Sequence, residues 1–191
     1  MPRKKIRCWW ANSGDPLYAA YHDEEWGVPL HDDRKLFEML LLEGFQAGLS
    51  WITILRKREN FRNAFREFDP EVMVRFKKRD VERLMQDAGI VRNRLKIEGS
   101  VRNARAFLAA QEEFGSFDRF LWQFTGGKTL RKPAGLTREQ IVAKTPESDH
   151  MSKELVRRGF KFVGSTICYA LMQAVGMVDD HVEGCWKYKK R

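Results

Sequence analysis

Glu43 is the first residue whose position invites a chemical reading. It stands seven residues after Leu36 and three after Leu40, so on a helix it projects from the apolar stripe that faces a core. A buried carboxylate is costly without a partner, and perturbed carboxylates gather at functional sites. The plainer alternative is a glutamate that closes a helix and is solvated as the last turn frays. Its neighbours favour the chemical reading: Tyr21, Trp26 and Trp51 are close in sequence. Aromatic faces around one carboxylate suit a flipped, cationic purine, because the rings stack on it and attract its charge while the carboxylate accepts hydrogen bonds from its edge.

A second set of reactive side chains lies at the two ends of the chain. Cys8 and His22 stand near the beginning, His181 and Cys185 near the end. The last two are four residues apart, on one face of a helical turn. Two cysteines and two histidines make a common tetrahedral zinc shell with no position left for water, so an ion held there would be structural. Spacing alone leaves open a packed Cys8 and an exposed His181 without metal. His31 and His150 lie in polar, turn-like contexts and read as solvated. With Cys168 the cysteine count is three, which argues against a disulfide framework.

The third set could hold nucleic acid. Arg158-Gly-Phe-Lys-Phe-Val-Gly-Ser165 followed by an apolar run has the form of a hairpin between two helices, spanning about residues 157–166. Glycine permits close backbone approach, and amides at a helix N-terminus can face a phosphate. Lys161, Gly164, Ser165 and Thr166 are the candidate contacts, although a Gly-x4-Gly turn also serves packing alone. Lys153, Arg157 and Arg158 add positive charge nearby. Leu49, beside Gly48, would sit at a loop tip and could wedge into a base stack. Equally, with Ser50 as a cap, Leu49 and Ile54 have the spacing of a hydrophobic staple.

The elements that must position these residues are helical throughout. Sustained period-2 alternation is absent, and the apolar residues recur at helical spacing. Asp33 is expected to cap a helix carrying Leu36, Phe37, Leu40 and Leu41, interrupted by Gly44 and Gly48. Ser50 caps a second, with Ile54, Leu55, Phe61, Phe65 and Phe68 on one side. Asp69-Pro70 opens a short third, and residues 80–88 a fourth stopped by Gly89. Residues 93–114 form a long basic helix, followed by a short aromatic one from Phe117 to Phe124. From Gly126 to Ser148 the pattern lapses into a surface connection, punctuated by Pro133, Gly135 and Pro146, with one helical turn near Arg138 to Ala143. Ser148 or Asp149 opens the next helix, and Ser165–Val175 the last. No repeat and no linker divides the chain, so residues 1–191 read as a single intertwined all-α unit.

Charge narrows the partner class. The 191 residues carry 35 basic against 26 acidic side chains, a formal net charge of +9. Such an excess favours polyanions, with nucleic acid foremost, although a solvated basic face would look the same. No apolar run approaches the ~18 residues of a membrane span. The basic start, Met1-Pro-Arg-Lys-Lys-Ile-Arg-Cys8, runs into Trp9 and Trp10, not into an apolar signal core, so a cytoplasmic or nucleoid location is expected.

Longer stretches carry a resemblance. Asp15-Pro-Leu-Tyr-Ala-Ala-Tyr-His-Asp-Glu-Glu-Trp-Gly-Val-Pro29, Leu42-Glu-Gly-Phe-Gln-Ala-Gly-Leu-Ser-Trp-Ile-Thr53, Asp87-Ala-Gly-Ile-Val91, Arg158-Gly-Phe-Lys-Phe-Val-Gly-Ser-Thr-Ile-Cys168 and Asp180-His-Val-Glu-Gly-Cys185 occur in consistent order over about residues 8–186. In these the chain resembles the 3-methyladenine DNA glycosylase I family of the helix-hairpin-helix glycosylases. The resemblance implies hydrolysis of the N-glycosidic bond of 3-methyladenine in double-stranded DNA, giving free base and an abasic site, by a protein expected to be monomeric. It implies one structural zinc on Cys8, His22, His181 and Cys185. It also implies base contacts from Glu43, Tyr21 and Trp51, with Trp10, Tyr18 and Trp26 shaping the pocket and Leu49 similar to the DNA-inserting position.

The residue chemistry agrees with that implication. Methylation at N3 makes the purine a cation, so the leaving group is already activated and selective binding can supply much of the function. The hairpin helix begins Ser165-Thr166-Ile167 without a lysine, so no Schiff-base lyase step is expected. Asp179 stands near where related glycosylases carry an aspartate. It either assists the sugar cation or supports the metal-binding turn. The chain departs from the family pattern at Trp9-Trp10, in one extra residue between Cys8 and His22, and at Phe45. A zinc-stabilised DNA-binding protein without chemistry would explain the charge and hairpin but not the carboxylate among aromatics. A glycosylase for another alkylpurine would share every feature.

Overall fold

The computed structural model describes residues 5–12, 14–131 and 136–188, apart from the side chain of Asn12. Pro133, Gly135 and the first four residues of the basic start lie outside that range. A 3-10 turn at Trp9–Asn12 leads into α1 (Pro16–Glu24), which the apolar pattern did not announce. It forms because Asp15 accepts hydrogen bonds from the amides of Leu17 and Tyr18 and Pro16 occupies the first turn.

α2 (Asp33–Gln46) is the central helix. Asp32 caps it, through the Lys35 amide. Asp33, expected in that role, instead accepts from the amides of Phe117 and Asp118 and the Gln111 side chain, tying α2 to two later helices. The helix also runs through Gly44, with every residue from Leu36 to Phe45 buried. Such all-round burial belongs to a helix surrounded by others, and α2 packs against α3 (Trp51–Ala64), α6 (Arg94–Phe114), α7 (Phe117–Trp122) and α9 (Ser165–Ala174). Gly44 is tolerated because another segment needs its space. A Cβ there would lie 3.3 Å from the Cβ of Phe162.

α3 (Trp51–Ala64) follows Ser50, whose hydroxyl pairs with the Thr53 hydroxyl and caps no amide. Phe65 and Phe68 fall beyond its end, around a left-handed stretch in which Arg66, Glu67 and Phe68 all have φ between 52° and 56°. They still join Phe45 and Phe61 in a stack of rings, Phe65 and Phe68 being 5.9 Å apart and nearly parallel. α4 (Pro70–Met73) and α5 (Lys78–Gln86) come next, the latter starting and ending two residues before the expected 80–88. α6 (Arg94–Phe114) is capped by Asn93 and stopped by the left-handed Gly115. α7 (Phe117–Trp122) continues as a 3-10 turn, Gln123–Thr125.

The connection that follows is better anchored than its composition suggested. Leu130–Arg131 (β1) pairs in parallel with Val178–Asp179 (β2), and the Thr129 hydroxyl donates to the Gly176 carbonyl. Two-residue strands leave no alternation for sequence reading to find. A 3-10 turn at Arg138–Gln140 lies within the stretch expected to be helical. α8 (Pro146–Arg157) starts before Ser148, because Thr145 caps it and Ser148 closes the box by accepting from the Thr145 amide. A tight turn then leads to α9 (Ser165–Ala174), which packs against α8 and α2. One continuous cluster of buried apolar side chains runs from Cys8 to Cys185.

Candidate base pocket and the cysteine–histidine cluster

The last turn of α2 delivers Glu43 to a small cavity of about 110 Å³. The three aromatic residues read from the sequence and the two implied by the resemblance all line it: Trp10 from the first 3-10 turn, Tyr18 and Tyr21 from α1, Trp26 just beyond it, and Trp51 at the start of α3. Their rings form a nearly continuous wall, with centroids 4.9 Å apart for Trp10 and Tyr18, 5.1 Å for Trp10 and Trp26, and 5.4 Å for Tyr21 and Trp51.

Glu43 is only 4 % exposed, and its Oε2 has no hydrogen-bond partner among the described residues. Trp51 Nε1 is likewise buried without a partner. Burial pushes the Glu43 carboxyl up to about 8. Burial, and then the charge of Glu43, also hold the Tyr18 and Tyr21 hydroxyls above their ordinary value. The cavity therefore contains an acceptor and a donor with no partner among the described residues, in apolar surroundings where a missing bond is expensive.

Three further residues reach the same cavity without having been anticipated: Gln46, Ala170 and Gln173. Gln46 had a legible signal, since it lies three residues after Glu43 on the same helix face. Ala170 and Gln173 come from α9, and nothing in local spacing brings that helix to α2.

Behind the aromatic wall, the chain ends meet. The ligand-capable atoms of Cys8, His22 and Cys185 lie within 4.8 Å of one another, all three residues buried. His22 Nε2 is 3.4 Å from Cys185 Sγ, and its Nδ1 is 2.9 Å from an Asp23 oxygen. Asp23 is fixed in turn by the Arg7 guanidinium and the Trp186 indole. His181 stands beside this group, its ring 5.2 Å from that of His22. Its Nδ1 is 2.8 Å from Asp179 Oδ1, while its Nε2 is buried with no partner among the described residues. Hydrogen bonding with Cys8 holds the Cys185 thiol well below the ordinary range and pushes that of Cys8 up. Asp179 also meets Arg131 at 3.5 Å and is not among the residues lining the cavity.

The candidate DNA contacts lie in the loop after α2 and in the hairpin that opens α9. Lys96 Nζ donates to the carbonyls of Phe45 and Ala47, closing the end of α2 and holding the loop in which Gly48 takes φ +83°. Leu49 in that loop is 43 % exposed, so it does not seal α3 as a staple would. In the hairpin, Asn103 of α6 pairs with both backbone groups of Lys161. Phe162 adopts φ +57°, lying against Gly44 and Gly99. Lys161, Gly164 and Thr166 remain exposed and Ser165 half-buried, at an α9 N-terminus with no side-chain cap.

Comparison with known proteins follows the same line. Residues 10–188 match the methyladenine glycosylase family. DNA-3-methyladenine glycosylase 1 of Escherichia coli (strain K12) is 54 % identical over 182 residues, covering 95 % of this chain and 96 % of that protein. A crystal structure of 3-methyladenine DNA glycosylase I superposes with a TM-score of 0.93 at 52 % identity, over 96 % of this chain and all of the other. A 3-methyladenine DNA glycosylase I solved in complex with 3-methyladenine gives a TM-score of 0.89 at 36 % identity, over 94 % of this chain and 96 % of that one. The chain belongs to the methyladenine glycosylase family. No helix among the described residues is long and apolar enough to cross a membrane.

Proposed function

We propose that the cavity around Glu43 receives the methylated base flipped out of alkylated double-stranded DNA. The chain excises 3-methyladenine, hydrolysing the bond between N9 and the sugar. The observation that carries the site is a buried carboxylate with one unpaired oxygen inside a cage of aromatic rings. With the cavity empty, the raised carboxyl of Glu43 favours its neutral form. A cationic purine at hydrogen-bond distance reverses that balance, since an opposite charge favours the carboxylate. Neutral adenine offers no such gain. The rings of Tyr21 and Trp51 add stacking and cation–π attraction, and Trp10, Tyr18 and Trp26 exclude water.

Departure of the base then needs little help. As the N9–sugar bond breaks, its electron pair neutralises the positive charge of the purine, which leaves as free 3-methyladenine. Water adds to the sugar carbon and loses a proton, leaving an abasic site. α9 opens with Ser165 and Thr166, so no amine stands there to form a Schiff base, and the enzyme is monofunctional.

Cys8, His22, His181 and Cys185 suit a structural zinc. Their donor set is a usual tetrahedral shell, the orphaned Nε2 of His181 has a use beside the other three donors, and each histidine has its Nδ1 fixed by an aspartate. Such an ion supplies charge neutralisation and closure of the two ends, and no step of the reaction. Asp179 accordingly serves His181 and not the sugar. Gly48 and Leu49 enter the duplex where the base leaves, while Lys161, Gly164, Ser165 and Thr166 hold a phosphate. The protein acts as one monomeric unit in the cytoplasm. Incubation with methylated duplex DNA and chromatography of the released bases tests the function: 3-methyladenine is the expected product, and release of no base, or of another alkylpurine in its place, overturns it.

A further inference from the structure

Among the described residues, a bond from outside the cavity fixes the amide orientation of Gln173. Its Nε2 donates to Asp180 Oδ2 at 2.8 Å, and the same oxygen accepts the hydroxyl of Tyr169. Asp180 is fully buried in the segment that also carries Asp179 and His181. A carboxylate accepts and cannot donate, so the amide nitrogen of Gln173, not its oxygen, must face Asp180. A free glutamine could turn its amide to suit either a donor or an acceptor. Here the flip is decided, and Oε1 is the end left for the cavity. No hydrogen bond to it occurs among the described residues.

We propose that Gln173 is a specificity-determining residue: locked by Asp180, it presents an acceptor that selects a purine bearing an exocyclic amino group over one bearing an oxo group at the same edge. The inference rests on the reading of this cavity as the base site. An amino group donates to Oε1. A 6-oxo purine with the same N3 methylation, 3-methylguanine, which also carries an amino group at C2, sets one acceptor against another at the C6 edge and leaves both unpaired, which discriminates far more strongly than the loss of a methylene would. Glu43 reads positive charge, which both methylated purines share before departure. Gln173 reads the difference between them.

The test compares release of 3-methyladenine and 3-methylguanine from methylated DNA by the wild-type protein and by Gln173→Leu, with folding checked by thermal melting. The expected result is a loss of roughly tenfold in the preference for 3-methyladenine over 3-methylguanine, with most of the charge selection over adenine retained. An unchanged ratio in a folded variant overturns the proposal. Titration of the wild-type protein with free 3-methyladenine keeps the proposal testable if Gln173→Leu does not fold. The carbon resonance of the Gln173 carboxamide is expected to shift on binding, and a static signal overturns it. If instead the Trp51 indole signal is also static, the cavity is not the base site, and that failure is distinguishable from failure of Gln173 alone.

Discussion

Trp26 stands edge-on to His181, their ring centroids 4.7 Å apart and their planes 74° to one another. One wall of the base cavity is thus in direct contact with the cluster where the chain ends meet. Trp10 does the same on the other histidine, 5.2 Å from the ring of His22. The cluster therefore backs the cavity wall through ring contacts on both of its histidines.

That contact predicts the effect of removing metal. The folded protein is expected to hold one zinc per chain. Chelation should lower the melting temperature and weaken binding of free 3-methyladenine together, because Trp10 and Trp26 lose their backing. Metal analysis, melting and base titration on the same sample check this. A metal-free protein with unchanged melting and unchanged affinity would contradict it.

Glu43 predicts a slope of stability with pH. Its folded value, about 8, lies above the ordinary carboxylate value of 4.5. The folded state therefore binds a proton that the unfolded state releases, and the contribution of Glu43 falls as pH rises from about 4.5 through about 8. Denaturant unfolding at pH 5 and pH 8 should show wild type losing more stability than Glu43→Gln over that interval. Equal slopes would mean that Glu43 ionises freely in the fold.

The hairpin clasp predicts a separation of functions. Asn103 holds both backbone groups of Lys161, so Asn103→Ala should cost roughly 1–3 kcal/mol of stability and weaken duplex binding. A Cβ on Gly99 would lie 2.9 Å from the Phe162 ring, so Gly99→Ala should displace the hairpin at a similar cost of about 1–3 kcal/mol. Both variants should retain affinity for the free base, as neither residue lines the cavity. Melting curves with DNA and base titrations measure the three quantities separately.

Lys161 is exposed at the hairpin tip. Lys161→Ala should weaken DNA binding evenly across sequences and reduce the dependence of log affinity on log salt by about one. An unchanged salt slope would remove Lys161 from the phosphate contacts.

Much of this was legible before the fold. Glu43 announced itself as a charge on an apolar stripe; Tyr21, Trp26 and Trp51, its neighbours in sequence, line the cavity, as do Trp10 and Tyr18, which only the resemblance implied. What escaped did so for physical reasons. α1 carries the same Asp-Pro opening that marked α4, but it buries only Tyr21 and His22, so no apolar period disclosed it. α2 was expected to break at Gly44, whereas the helix uses that glycine to admit Phe162. Gln173 stayed hidden because its role depends on two long-range facts, the packing of α9 on α2 and the bond to Asp180. His181 was grouped with the other donors by residue type and by resemblance; the structure gathers Cys8, His22 and Cys185, with the His181 ring 5.2 Å from that of His22.

Capture of the cationic base by a buried carboxylate in an aromatic cage is what the proposed function rests on. Single-turnover release of 3-methyladenine from methylated duplex DNA, by wild type and by folded Glu43→Gln, tests it most directly. Release by the wild type and a loss of at least about tenfold in the variant, with duplex affinity retained, are expected. Release at wild-type rate by Glu43→Gln would contradict it.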